Sequence, residues 1–326
     1  RLLAGAGWDP ELLRDDLQAY VAEKLGRPDG VLIIGDTEFL KNGTTSAGVQ
    51  RQHSGTTGRT ENCQIGVFAA YASTKGRALV DRELYLPTSW TNDPGRCRAA
   101  KIPTDRAFAT KGELARHLVL RALASDLPIA WVTADSAYDQ EWGFRRTLEE
   151  AGVGYVLAVP KSQQVKSLVG IRRIDQLVGA APENAWKRLP GGDRTKGPRL
   201  YDWASAQLPV NYSFDGNTPT HRRWVLTRRN IKRPDETTYY LAYAPTGTTG
   251  AELIRIVGSR WTIEECLQAA KNECGLDEYS VRLYPGWYRH VTLAMLAHAF
   301  LAAMSAAGIE RVAEDRPSPC RRAGES

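Results

Sequence analysis

Residues 259–275 read SRWTIEECLQAAKNECG, and the reading of the whole chain turns on them. Apolar Ile263, Leu267 and Ala270 recur at helical spacing, so the stretch is expected to be a helix with one buried stripe. Beside that stripe stand Arg260, Glu264 and Lys271, separated by four and then seven residues. At about 3.6 residues per turn these spacings return the three side chains to nearly one azimuth, so a carboxylate is framed by two cations. On an arbitrary helix such a face is simply solvated and carries an i,i+4 ion pair.

The setting of this helix argues for more. Two further acids, Asp36 and Asp135, each close a short apolar run that reads as a buried strand, VLIIGD at 31–36 and IAWVTAD at 129–135. An aspartate at the end of a buried strand loses solvation, so it is expected to be tied to a hydrogen bond, a cation or a metal ion.

Outward from these anchors, residues 9–25 carry leucines at helical spacing, with Asp9 as N-cap and Pro10 at the first helical position. A strand at 31–34 follows, then a polar, glycine-rich stretch at 41–63 that is expected to be a binding loop. Arg51, Gln52, His53, Ser54 and Arg59 in it are suitable phosphate partners. Two strands at 64–71 and 77–86, a helix at 111–125, a strand at 129–134, a helix at 141–151 and a strand at 155–159 complete the first part. The pattern is α/β. From Pro160 to about Gly250 the chain becomes proline-rich and strand-like, which reads as an inserted β-rich subdomain. Its aromatics Trp203, Trp224, Tyr239, Tyr240 and Tyr243 divide between base-stacking candidates and core. The expected units are 1–160 and 251–309 as two parts of one core, 161–250 as the insertion and 310–326 as a disordered tail.

The chain has 326 residues, 42% of them hydrophobic, enough for a large core and inconsistent with general disorder. Its apolar runs, VTLAMLAHAFLAAM among them, read as too short to cross a bilayer, and no leader opens it; a cytoplasmic protein with no membrane partner is expected. Five scattered cysteines, with no CxxC and no Cys/His pair at zinc spacing, read as reduced thiols and leave a thiol hydrolase without support. Between Lys187 and Arg233 there are eleven Lys/Arg against three Asp/Glu, so this segment more than accounts for the +6 of the whole chain. Concentrated positive charge points to a polyanion, most often nucleic acid. Arg222, Arg223, Arg228 and Arg229 are its densest cluster.

Specific motifs go further. GVQRQHSGTTGRTENCQIGVF, GRALVDRELYLPTSWTNDPGRCRAA, WVTADSAYD, GYVLAVPKSQQV and RWTIEECLQAAKNECGLDEYSVRLYPGWYRH closely resemble the IS701 family of bacterial insertion-sequence transposases, within the IS4-like group of DDE enzymes. The resemblance covers nearly the whole chain. It implies an RNase H-like mixed sheet flanked by helices, with the β-rich insertion before the last catalytic helix. It also implies metal-dependent cleavage of DNA at element ends and strand transfer to target DNA, by a bacterial, nucleoid-associated protein acting as an at least transient homodimer on double-stranded DNA. A Tyr, Arg, Glu, Lys signature of the group maps to Arg260, Glu264 and Lys271 in its last three places, with Val257 at the Tyr place. The acid triad maps to Asp36, Asp135 and Glu264, with Glu265 an adjacent alternative, and these acids would hold two Mg²⁺ ions, Mn²⁺ being a substitute. Arg51, Arg59, Arg222, Arg223, Arg228, Arg229, Arg260 and Lys271 would meet DNA.

The family's first acid stands in a pair of acids before Thr and Gly, whereas this chain reads Gly35, Asp36, Thr37, Glu38. If the ligand is the first of the pair, Gly35 has replaced it; if the second, Asp36 remains. Because successive strand residues point to opposite faces, Asp36 replaces position 35 only through a twist or bulge. The alternative function is therefore a transposase-derived DNA-binding protein that no longer cuts.

Overall fold

The computed structural model describes residues 3, 7–53, 58–138, 142–168, 170–191, 200–209 and 219–314. Helix α1 (Pro10–Leu25) is capped by the Asp9 carboxylate, which accepts from the Glu11 amide at 2.8 Å. It leads into β1 (Gly30–Leu40), whose Val31–Ile34 run is fully buried. Then come β2 (Gln50–His53), β3 (Thr60–Ala72) and β4 (Arg77–Leu84), followed by short helices α2 (Thr88–Thr91) and α3 (Pro94–Ala99). Helix α4 (Lys111–Leu123) opens with a complete Thr110–Glu113 capping box. It is followed by β5 (Ile129–Ala134), α5 (Trp142–Glu150) and β6 (Gly154–Val159).

The strand order β4-β3-β1-β5-β6, with β3 antiparallel to both neighbours and β5 and β6 parallel to β1, is that of an RNase H-like mixed sheet. The α/β expectation holds. Continuous apolar runs make β1, β5 and β6 central strands buried on both faces, and the antiparallel β3–β4 pair closes one side.

Beyond β6 the chain forms the small hairpin β7 (Gln164–Ser167) and β8 (Gly170–Arg173), helix α6 (Ile174–Gly179), and β9 (Lys187–Pro190), β10 (Leu200–Gln207), β11 (His221–Arg229) and β12 (Thr237–Pro245). These last four strands continue the central sheet, because β12 pairs with β6 from Tyr239↔Val159 to Tyr243↔Tyr155. The basic segment is thus hydrogen-bonded into a ten-stranded sheet. Trp203 and Tyr240 stack at 6.1 Å and are buried, so they belong to the core and are not free to stack bases.

Three helices end the described residues: α7 (Gly250–Ser259), α8 (Thr262–Cys274) and α9 (Tyr284–Glu314). Gly275 ends α8 in the left-handed region, at φ 62°, where a side chain is disfavoured. The expectation about apolar length needs correcting: Tyr284–Gly308 is 25 residues of mean hydropathy 1.6, long and apolar enough to cross a bilayer. Here its apolar face is used inside the fold, where Trp287, Val291, Met295 and Ala299 are buried and Arg82 of β4 donates to Thr292 at 2.9 Å. Residues 310–314, expected in a tail, continue α9, while 315–326 lie outside the described residues.

The described residues of the stretch 41–63, 41–53 and 58–63, carry more structure than their polarity suggests. Strand β1 runs on to Leu40, β2 pairs with β3, and Ala47 and Val49 are buried. Gln64 donates to the Ala47 carbonyl at 2.6 Å and the Trp90 indole to that of Val49 at 2.8 Å, so backbone polar groups are satisfied from outside the stretch. Ser54 lies outside the described residues. Cys63, Cys97, Cys266 and Cys274 are free thiols, as expected.

Candidate active site

Alternation along β1 sorts its residues between two helical layers. Thr37 meets α8, accepting from Lys271 Nζ at 2.8 Å, and a Cβ placed on Gly35 would lie 3.0 Å from Ile263 Cγ2, also on α8. Asp36, between them, faces the other way: its carboxylate is ion-paired with Lys111, the first residue of α4. The β1–β3 register runs unbroken through Gly35↔Phe68, Asp36↔Val67 and Thr37↔Gly66, with no bulge to turn Asp36 over.

Asp135 follows β5, whose parallel register with β1 ends at Ile34↔Ala134. Its Oδ2 lies 3.3 Å from the Arg260 guanidinium, and Oδ1 accepts from the Ser136 amide at 2.6 Å. The same Arg260 nitrogen lies 3.7 Å from Glu264 Oε1. Arg260 is placed by the turn between α7 and α8, where its guanidinium rests on the Trp261 ring at 4.3 Å and its side chain is largely covered, while both acids are about half exposed. Two carboxylates far apart in sequence thus converge on one cation at the C-terminal end of the central strand β5.

Lys271 does not share this cluster. Two helical turns beyond Glu264 it meets a different part of β1, donating to Thr37 and, at 3.2 Å, to the Glu38 carbonyl. Glu265, the neighbouring alternative, pairs with Arg77 at 2.7 Å.

Sequence reasoning missed Lys111 and Tyr138. Burial and then the Asp36 charge raise the Tyr138 phenol well above its ordinary pKa, and its buried hydroxyl has no well-formed hydrogen bond. The capping box around Lys111 and the WVTADSAYD motif mark both positions, yet nothing local says that β1 delivers Asp36 to them.

The four arginines of β11 do not form one stripe. Arg223 pairs with Glu149 of α5, and Arg229 lies over Trp186 at 4.0 Å and near Asp202. On the opposite face Arg228 covers Tyr201 at 4.6 Å, and Arg222 shares its parity. Arg228, Lys232, Arg233, Tyr201 and Trp261 line a cavity of about 690 Å³ that begins one residue from Arg260. Arg51 and Arg59 are exposed on and beside the β2–β3 pair.

Hard dications such as Mg²⁺ need several carboxylate oxygens around one point. Among the described residues no group of three His, Cys, Asp or Glu side chains is so placed. Asp135 and Glu264 converge on Arg260, Asp36 is held by Lys111, and Asp36 and Asp135 both act on the buried Tyr138 phenol.

The model of a family described as DDE superfamily endonuclease matches residues 1–202. A protein of Microchaete diplosiphon, "Probable transposase for insertion sequence element IS701", is 25% identical over 288 residues, covering 87% of this chain and 68% of that protein. A cryo-EM structure of a piggyBac transposase synaptic complex with hairpin DNA is a distant likeness, with a TM-score of 0.42 and 11% identity over 96% of this chain and 62% of that one. The chain spans about two thirds of the length of these relatives.

Proposed function

Because the chain belongs to the DDE superfamily endonucleases, whose model spans more than half of it, we propose that it is a transposase of the insertion-sequence type. It binds the double-stranded ends of a mobile element, cleaves a phosphodiester there and joins the freed strand to target DNA. The observation that carries this reading is the convergence of Asp135 and Glu264 on Arg260 at the C-terminal end of a central strand of an RNase H-like sheet. A scissile phosphate set there faces a guanidinium that stabilises developing negative charge. The adjoining cavity, with Arg228, Lys232 and Arg233, gives the flanking strand cationic and aromatic partners.

Enzymes of this family use divalent metal ions, Mg²⁺ or Mn²⁺; Asp36, Asp135 and Glu264 are the acids that would hold them here. Concerted cutting of two ends requires two active sites, so a homodimer forms on the DNA. The test is duplex binding by fluorescence anisotropy as salt is varied, with the unaltered chain beside Glu264→Gln. Both are expected to bind with a steep salt dependence and similar affinity, because Glu264 is not a phosphate contact. A chain that does not bind duplex DNA overturns the proposal, and loss of binding in Glu264→Gln alone makes that residue structural.

A further inference from the structure

We infer that two residues outside the three acids position the first of them: Lys111 is the protein's own counter-cation for Asp36 and gives way there to a divalent ion, while Tyr138 holds Asp36 and Asp135 to one point through its phenol hydroxyl. The inference rests on the DNA-cutting site proposed above and concerns what prepares its acids for metal.

The two residues reach Asp36 from different elements. Helix α4 starts at Lys111, directly after the Thr110–Glu113 capping box that fixes its first turn, and Lys111 Nζ is ion-paired with Asp36 Oδ2. The two side chains of that pair are 32% and 27% exposed, so an ion arriving from solvent reaches the carboxylate and competes with the ammonium. Tyr138 comes from the turn after β5. Its amide donates to the Asp135 carbonyl at 3.0 Å, which folds the chain back and sinks the ring into the core, 1% exposed. Its hydroxyl is buried without a well-formed hydrogen bond. Beyond burial, the charges of Asp36 and then Asp135 raise its pKa, so both carboxylates lie near it. A buried hydroxyl left unpaired costs stability, which favours the arrangement in which a carboxylate accepts from it. Set between Asp36 and Asp135, this donor offsets the repulsion of two like charges that must share one hard dication. Hydrogen-bond partners behind ligating carboxylates hold them in this way.

Mn²⁺ binding read by electron paramagnetic resonance of the free ion, at about 0.15 M salt, tests this without relying on turnover. Lys111→Met should tighten Mn²⁺ binding by about 3-fold or more, because its competitor is gone, and Mn²⁺ should then raise the Tm of this variant by more than that of the unaltered chain. Arg116→Met removes the same charge further along α4, where the guanidinium donates to Thr147 at 3.1 Å, and should leave the affinity within about 2-fold. Tyr138→Phe, which removes one oxygen, should weaken Mn²⁺ binding by about 10-fold. Unchanged or weaker binding in Lys111→Met, or a gain no larger than in Arg116→Met, overturns the inference, and so does unchanged affinity in folded Tyr138→Phe. Mn²⁺ binding too weak to detect in every variant overturns it as well, and Lys111→Met decides the matter if Tyr138→Phe does not fold. Anisotropy on the same samples separates the two claims: duplex binding with the wrong metal response contradicts only this inference, whereas absent duplex binding contradicts the proposed function.

Discussion

His298 is 7% exposed on α9, and its Nδ1 faces the Leu79 amide at 3.5 Å, a contact that the neutral ring can accept. Burial and then the positive charge of Arg77 lower its pKa from 6.5 to about 4. The unfolded chain takes up this proton near 6.5 and the folded chain does not, so the contribution is complete above pH 6.5 and is lost as pH falls toward 4. A shift of this size corresponds to about 3 kcal/mol. Urea unfolding at pH 7 and pH 4.5 should show a smaller pH difference in His298→Gln than in the unaltered chain; equal differences would assign the acid sensitivity elsewhere. At this scale the sequence identified Asp135, Glu264 and Arg260, because a strand end and an i,i+4 spacing are local signals. It could not decide between Gly35 and Asp36, since that choice depends on which helical layer packs on each face of β1.

Helix α4 is held on the sheet by charge as well as by apolar packing. Arg121 donates to both oxygens of Asp81, at 2.9 and 3.0 Å, and to Glu83 at 2.7 Å, and both acids lie on β4 with little or no exposure. Burial raises the pKa of Asp81 in spite of Arg121; for Glu83 burial acts in the same direction, but Arg121 and Arg106 outweigh it and the pKa falls. Arg121→Met removes the main partner of buried Asp81, while Arg106 still holds Glu83 at 2.8 Å, and should cost about 3–5 kcal/mol in chemical denaturation. A loss below about 1 kcal/mol, the range of exposed pairs, would show that water replaces the guanidinium. Because the same helix presents Lys111 to Asp36, the variant should also loosen that pair. Element types followed from periodicity, as in the leucines of α1 and the apolar runs of β1 and β5. Missed features depend on distant partners: β2 is a strand because β3 borders it, and the helical face read across 259–275 is interrupted between Ser259 and Thr262.

Across the whole molecule, extension of the sheet through β12, β11, β10 and β9 places positive charge on both of its faces, and one face adjoins the acids. Neutralising Arg228, Lys232 and Arg233 together should lower duplex affinity and reduce the slope of log affinity against log salt by about 2–3, close to one unit for each phosphate no longer neutralised. Replacing Arg223 and Arg229, whose charges are met by Glu149 and Asp202, should leave the slope nearly unchanged. The reverse pattern would move the DNA path to the α5 face. The central claim is that Asp36, Asp135 and Glu264 form a DNA-cutting site, and Mn²⁺-dependent nicking of supercoiled plasmid tests it most directly. The account predicts nicking by the unaltered chain that is lost in Glu264→Gln and in Asp36→Asn. Nicking that persists in folded Glu264→Gln and Asp36→Asn would contradict it.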